Sequence, residues 1–279
     1  MHYVLITLKT GESIMKQVLR SDCQRHRVIL LALLVTVLLF FESASAQTID
    51  FIGSAKNTLS TFMETPVAFD ETLHHYETEG GSIDLEVYTS DNIEKIVFSS
   101  IKIESTGVTE ESVFIFPKEG YEFPVFWANV TRFSFINILI FDFLPLQDLV
   151  MNPEYGQTYM EPLKATKAAV MDDILKRTVR DKAVEFSSLA MYAYSPYKMI
   201  ARVSKRGALK IADIVDAYGK TYIDLSKQAP KLEEGQARTY ATQRLAALRK
   251  LMRENDPGYK YMLEVFGEET TDKIMDVIF

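Results

Sequence analysis

The chain has 279 residues, a net charge of −7, 47% hydrophobic residues and 25% charged residues. That balance is globular and excludes a fibrous or largely disordered chain. The acidic charge also argues against nucleic acid as the main partner, because contacting phosphates takes a basic face.

The first segment reads as a leader. Val28 to Phe41 is an apolar run broken only by Thr36, with Lys16, Arg20, Arg25 and Arg27 before it and Ala44-Ser45-Ala46 after it. A basic stretch, a short apolar run and an A-x-A site make a secretory-type signal peptide. The run is short of the ~20 residues a transmembrane helix needs; an uncleaved anchor is the alternative. The segment before Met15 is unlike a signal peptide, so Met15 is read as an alternative start. We therefore expect a leader over 1–46 and one domain over 47–279. Cleavage after Ala46 leaves 233 residues with 26 Lys/Arg and 35 Asp/Glu, a net charge of −9. It also removes Cys23, His2 and His26, leaving no Cys and the adjacent pair His74-His75.

From Ile83 to Phe143 the pattern predicts strands. Asp84 to Tyr88 alternates polar and apolar, Ile96 to Glu104 alternates in part, and Val113 to Phe116 is a short apolar run closed by Pro117. Val125 to Phe133 and Ile136 to Phe143 follow, with connections short enough for antiparallel neighbours. From Leu163 the signal turns helical: Val170, Ile174 and Leu175, then Leu209, Ile211, Ile214 and Val215, fall at helical spacing. Ala237 to Arg253 is a strong helix ended by Pro257-Gly258. Tyr259 to Phe266 and Thr271 to Phe279 close the chain. Strands followed by helices predict an α+β fold with helices covering an antiparallel sheet.

The missing residues limit the chemistry. No G-x-G-x-x-G or Walker A motif is present. Zero Cys in the expected domain excludes a Cys nucleophile, Cys-ligated zinc and Cys-ligated iron–sulfur clusters. His74-His75 cannot supply a three-His metal site, and reads as an exposed loop. Carboxylates, amides and hydroxyls remain as the available tools.

The run Ile138-Leu-Ile-Phe-Asp142-Phe-Leu-Pro145-Leu-Gln-Asp148-Leu-Val-Met-Asn-Pro153-Glu-Tyr155 resembles the strand-and-loop signature of red chlorophyll catabolite reductase. Tyr76 to Gly81 and the strands up to Glu104 are similar to that family's earlier strands, and Ser195-Pro196 followed by Arg202 resembles its Ser-Pro…Arg segment. The tail, with Tyr240, Gln243, Asn255-Asp256, Phe266-Gly267 and Val277-Ile278-Phe279, looks more like the related ferredoxin-dependent bilin reductases. So does Phe116-Pro117 followed by Pro124 to Asn129. The resemblance covers roughly Phe51 to Phe279. It implies an α/β/α sandwich with a central antiparallel sheet flanked by helices, and an open-chain tetrapyrrole held between the sheet and the C-terminal helices. It further implies electrons from reduced ferredoxin, protons from the protein, and no bound flavin or metal.

Carried over by position, Asp256 matches the acidic residue that the family brings to the substrate from its C-terminal region. A carboxyl against an apolar tetrapyrrole would be pushed up by desolvation and could donate a proton; a turn residue before Pro257 is the alternative. Asn129 stands where bilin reductases carry Asp, and an amide is no practical proton donor. Ser112 stands where some of them carry a pocket His, which argues against a His-dependent biliverdin mechanism. Glu104 and Lys102 share a strand side, so either could reach the pocket or lie on an exposed face. Arg202 could hold a propionate or form a surface ion pair.

An acidic ferredoxin needs a local basic patch on a chain of net −9. The candidates are Lys198, Arg202, Lys205, Arg206 and Lys210, or Arg244, Arg249, Lys250 and Arg253. The chemistry belongs in a plastid, which a signal-type leader fits in an alga with a complex plastid; secretion is the alternative. The leading expectation is a ferredoxin-dependent reductase of a linear tetrapyrrole, closest to red chlorophyll catabolite reductase. The alternatives are a bilin reductase, a non-catalytic tetrapyrrole-binding protein of the same fold, and a secreted structural or interaction protein.

Overall fold

Alternating residues along the strands sort the chain into two apolar layers on either side of one sheet. The computed structural model describes residues 50–134, 136–175, 179–180 and 193–279, all within the compact unit Ile49–Phe279. The leader expected over 1–46 lies outside the described residues.

Helix α1 (Phe51–Leu59) starts at Asp50, whose carboxylate accepts from Gly53 N at 2.7 Å and so caps a free amide of the first turn. The strands follow: β1 (Thr65–Pro66), β2 (His75–Thr78), β3 (Gly81–Thr89), β4 (Ile93–Ile103), β5 (Val108–Pro117), β6 (Val125–Arg132) and β7 (Asn137–Leu144). A helical segment, α2, then runs through Pro153–Tyr155, a π-type turn Gly156–Met160, Glu161–Ala169 and a second π-type turn Val170–Leu175. The chain returns to the sheet as β8 (Val179–Arg180) and β9 (Met199–Val203). It ends in helices α3 (Lys205–Ala208), α4 (Ile211–Gln228), α5 (Gln236–Glu254), α6 (Tyr259–Phe266) and α7 (Glu268–Ile278).

Every strand pairing among the described residues is antiparallel, in the order β1-β3-β4-β5-β6-β7-β9-β8, with β2 also on β3. This is the expected α+β sandwich. One face packs Phe98, Val113, Ile115, Phe126, Ala128, Phe141 and Met199 against α1, α2 and α4. The other packs Leu85, Val97, Phe114, Phe116, Trp127, Ile140 and Leu144 against α5, α6 and α7. The second half of β5 and most of β6 and β7 are buried on both faces, so these stretches read as largely apolar runs.

Three features depart from the sequence reading. Residues after Leu163 are not all helical, because β9 adds to β7 as a five-residue strand. Helix α1 was not foreseen. His75 opens a short strand rather than a loop, with Nδ1 2.7 Å from Asp84 Oδ1; both groups are exposed.

Candidate active site

Strand register builds the floor of one cavity. Ser99, Ser112, Asn129 and Ile140 oppose one another across β4, β5, β6 and β7, and Ile101, Glu110, Thr131 and Ile138 form the next row on the same face. Side chains two residues apart on a strand share a face, so Phe114 and Trp127 continue the floor on the other side. Leu251, Met252, Asn255 to Gly258, Tyr261, Met262, Ile278 and Phe279 supply the roof from α5 to α7 and their connections. The enclosed volume is about 840 Å³, toward the upper end of the ~300–1,000 Å³ usual for ligand sites. Its walls are mainly apolar and aromatic. Half-exposed Phe133 and Tyr261 stand at its rim.

Two carboxyls meet inside it. Helix α5 ends at Glu254, and Pro257 blocks its continuation. In the turn that follows, Asp256 Oδ1 accepts from Gly258 N at 2.6 Å and its carbonyl accepts from Tyr259 N at 3.3 Å. This turns the carboxylate toward β5. A Cβ at Gly258 would stand 3.0 Å from Asp256 Oδ1 and 3.9 Å from Glu110 Oε2. The first distance is tight and the second an ordinary contact, so the bare glycine gives room to the Asp256 carboxylate within its own turn.

Burial pushes Glu110 up to about 7, the negative charge of Asp256 adds to that, and the amide of Asn129 opposes it. Burial also raises Asp256, against the N–H groups of Gly258 and Tyr259. The charge of Asp256 disfavours a second charge on Glu110. Asp256 has the backbone donors, so Glu110 holds the proton. Asn129 Nδ2 donates to Glu110 Oε1 at 2.7 Å, and Thr131 Oγ1 donates to Asn129 Oδ1 at 3.1 Å. The amide is therefore fixed in orientation, and Glu110 Oε2 is left to carry the proton. Beside them the hydroxyls of Ser99 and Ser112 are paired at 2.6 Å.

The aromatic wall is a stack. Phe114 and Trp127 lie 5.7 Å apart at 10°, and Trp127 and Tyr194 lie 5.6 Å apart at 12°. Phe279 meets the edge of Phe114 at 5.3 Å. Such walls suit a flat conjugated ligand.

Of the residues singled out from sequence, Asp256, Asn129 and Ser112 come together here. Glu104 does not. The cavity takes the odd-numbered residues of β4, Ser99, Ile101 and Ile103, whereas Glu104 lies past the strand end, half exposed and paired with Lys102. The expected route of Lys102 and Glu104 into the pocket is corrected by this parity. Arg202 is half-buried on the cavity's sheet face, in register with Ile138, but lies outside the lining. Glu110 was missed. Its signal was available, because it sits two residues before Ser112 on one strand. Among the described residues no group of His, Cys, Asp and Glu could hold a metal, and no helix is long and apolar enough to cross a membrane.

Two buried carboxyls thus sit in an aromatic cavity between an antiparallel sheet and C-terminal helices. The family of ferredoxin-dependent bilin reductases matches residues 54–279, and the chain belongs to it. In fold it is similar to the crystal structure of selenomethionine phytochromobilin synthase from tomato in complex with biliverdin. That match has a TM-score of 0.67 at 15% identity and covers 80% of this chain and 78% of that one. None of the curated proteins matches the sequence.

Proposed function

We propose that the chain reduces a linear tetrapyrrole with electrons from ferredoxin, and that Glu110 is its proton donor. The observation that carries this is Glu110 itself, a carboxyl that burial and Asp256 raise to about 7, lining a mainly apolar cavity. Asn129 leaves the strand position without an acid; Glu110, on the neighbouring strand and hydrogen-bonded to Asn129, supplies one. This favours an enzyme over a binding protein.

Each reduction takes two electrons, one from each of two reduced ferredoxins, and two protons. Glu110 gives its proton to the reacting atom as charge builds on the tetrapyrrole, becomes a carboxylate, and regains a proton from solvent for the second transfer. Burial, with the charge of Asp256 added, holds the donor's affinity high, and Asn129 keeps it oriented.

We place red chlorophyll catabolite first among substrates, with biliverdin as the second reading. Support comes from Asp142 and Ser195, which lie in the two segments that resemble red chlorophyll catabolite reductase and are hydrogen-bonded to each other. The test is turnover of each tetrapyrrole by the purified chain with ferredoxin and a reducing system. Turnover of neither overturns the enzyme reading, and turnover of biliverdin alone reverses the order.

For the electron donor we favour the face carrying Lys198 and Arg202. Lys198 Nζ lies 5.1 Å from the centroid of Tyr194, a cavity-wall ring. Neither Lys198 nor Arg202 has a carboxylate at ion-pair distance among the described residues. On the other candidate face, Arg249 is bound bidentately by Glu94 at 3.0 and 2.7 Å, and Arg253 pairs with Asp276 and Asp272. Cations already paired offer an acidic partner little. Ferredoxin dependence and the signal-type leader together support a plastid reached by the secretory route.

A further inference from the structure

One buried carboxylate next to the cavity has no part in the proton chemistry. Asp142 on β7 is fully buried, in register with Trp127. Its Oδ1 accepts from Phe143 N at 2.9 Å and from the hydroxyl of Ser195; its Oδ2 accepts from Ser195 N at 2.9 Å. Ser195 is also fully buried, and its Oγ accepts from Tyr197 N at 3.1 Å. Pro196 restricts the preceding residue to extended backbone, which suits a Ser195 that aims both its N–H and its hydroxyl at one carboxylate.

A carboxylate placed in an apolar core without a salt-bridge partner is costly. Three hydrogen bonds offset part of that cost, and two of them go to a single loop residue 53 positions away in the chain. The residues just before Ser195 are Ala193 and Tyr194, both in the cavity wall. Tyr194 stacks on Trp127, and the charges of Asp142 and Asp256 both bear on its hydroxyl. The loop thus carries an aromatic wall residue that comes neither from the floor strands nor from the roof helices.

We infer that Asp142 and Ser195 are positioning residues for the tetrapyrrole, acting through Tyr194: their latch fixes the ring against Trp127 and sets the width of the cavity. This rests on the reductase reading, and it adds which residues shape the site for a flat ligand. Losing the latch frees the loop without removing any group that touches the reacting atoms. Ligand affinity and the twist of the bound tetrapyrrole should then change more than the chemical step.

The test uses the full chain and three variants: Ser195→Ala, Ser195→Thr and Tyr194→Ala. Trp127 is the only tryptophan, so its emission and its quenching by acrylamide report the Tyr194 contact without any ligand. Ser195→Ala and Tyr194→Ala should raise quenching, weaken biliverdin binding about tenfold and alter the visible circular dichroism of the bound pigment. KM should rise with kcat changed far less, and Ser195→Thr should restore all four readouts. If Ser195→Ala only lowers the melting temperature, with Trp127 quenching, affinity and pigment dichroism as in the wild type, the latch is merely structural and the inference falls. A wild-type chain that binds neither biliverdin nor red chlorophyll catabolite sinks the reductase reading and this inference with it. In that case the Trp127 signal still tells whether Ser195 holds the loop.

Discussion

Glu110 and Asn129 lie diagonally on adjacent strands, on one face, and are joined by a 2.7 Å hydrogen bond from the amide to the carboxyl. The bond leaves one oxygen of Glu110 free, on the side where Asp256 approaches. The pair replaces a single acid on β6 with an acid on β5 and an amide that orients it.

Replacing Glu110 with Gln should therefore cost turnover about 10²-fold or more, while tetrapyrrole affinity stays within a few fold. Glu110→Asp should retain part of the activity. Single-turnover absorbance with prereduced ferredoxin separates these outcomes; a Glu110→Gln variant with wild-type rates rules this residue out as donor.

Activity should fall as pH rises through about 7, where Glu110 loses its proton. Asn129→Asp exchanges an N–H donor for a further carboxyl, which favours the protonated form of Glu110. The alkaline limb of kcat should then move to higher pH. A limb that stays put in this variant would assign the titration to another group.

The same shift acts on stability, with the opposite sense to a paired carboxylate. Glu110 binds its proton more tightly when folded than when unfolded, from about 4.5 to about 7. The folded state therefore holds more protons across that window, and stability declines as pH rises through it, then levels off. The decline is at most on the order of 3 kcal/mol. Asp142, raised to about 6 by burial, adds a decline in the same direction over a lower window. Glu110→Gln should be more stable than wild type at pH 8 and little different at pH 4.5, in urea melts at both values. Greater stability at the expense of activity is the signature of a buried functional acid.

Gly258→Ala tests the approach of the turn. The added methyl would stand 3.0 Å from Asp256 Oδ1 and must push that carboxylate aside. The alkaline limb of the activity profile should move modestly to lower pH as Asp256 shifts from Glu110, with burial still holding Glu110 above ordinary carboxylate values and the fold retained by far-ultraviolet circular dichroism.

Lys198→Glu should raise the KM for ferredoxin about tenfold at low salt, and less at high salt, where surface charges are screened. Arg249→Glu, beside Glu94, should change it less. Equal effects would move the docking face.

The fold was legible where periodicity was long. The strands from Ile83 to Phe143 and the helix over Ala237 to Arg253 carry enough repeats to declare themselves. Strand β9, five residues inside a helical stretch, does not, and its apolar side is read only once β7 stands beside it. In the site, Asp256, Asn129 and Ser112 came from resemblance. Glu110 lies outside the motifs that carried the resemblance and was not singled out. Glu104 was named because it shares a strand side with Lys102, but parity turns that side away from the cavity. Neither error is visible without fixing which residues point in, and that depends on one register.

That register hangs on the hairpin between β4 and β5, where Gly107 takes φ +62°, a conformation open to few other residues. Residues 110 and 111 are both glutamates, and Glu111 faces the opposite layer, bound to Arg132. One residue gained or lost in this turn would exchange them, offering the cavity a different carboxyl and stranding Arg132. The identity of the acid is thus encoded as a position count in a surface turn, remote from the carboxyls themselves, and a length change there would alter the chemistry while leaving the composition of the strand intact.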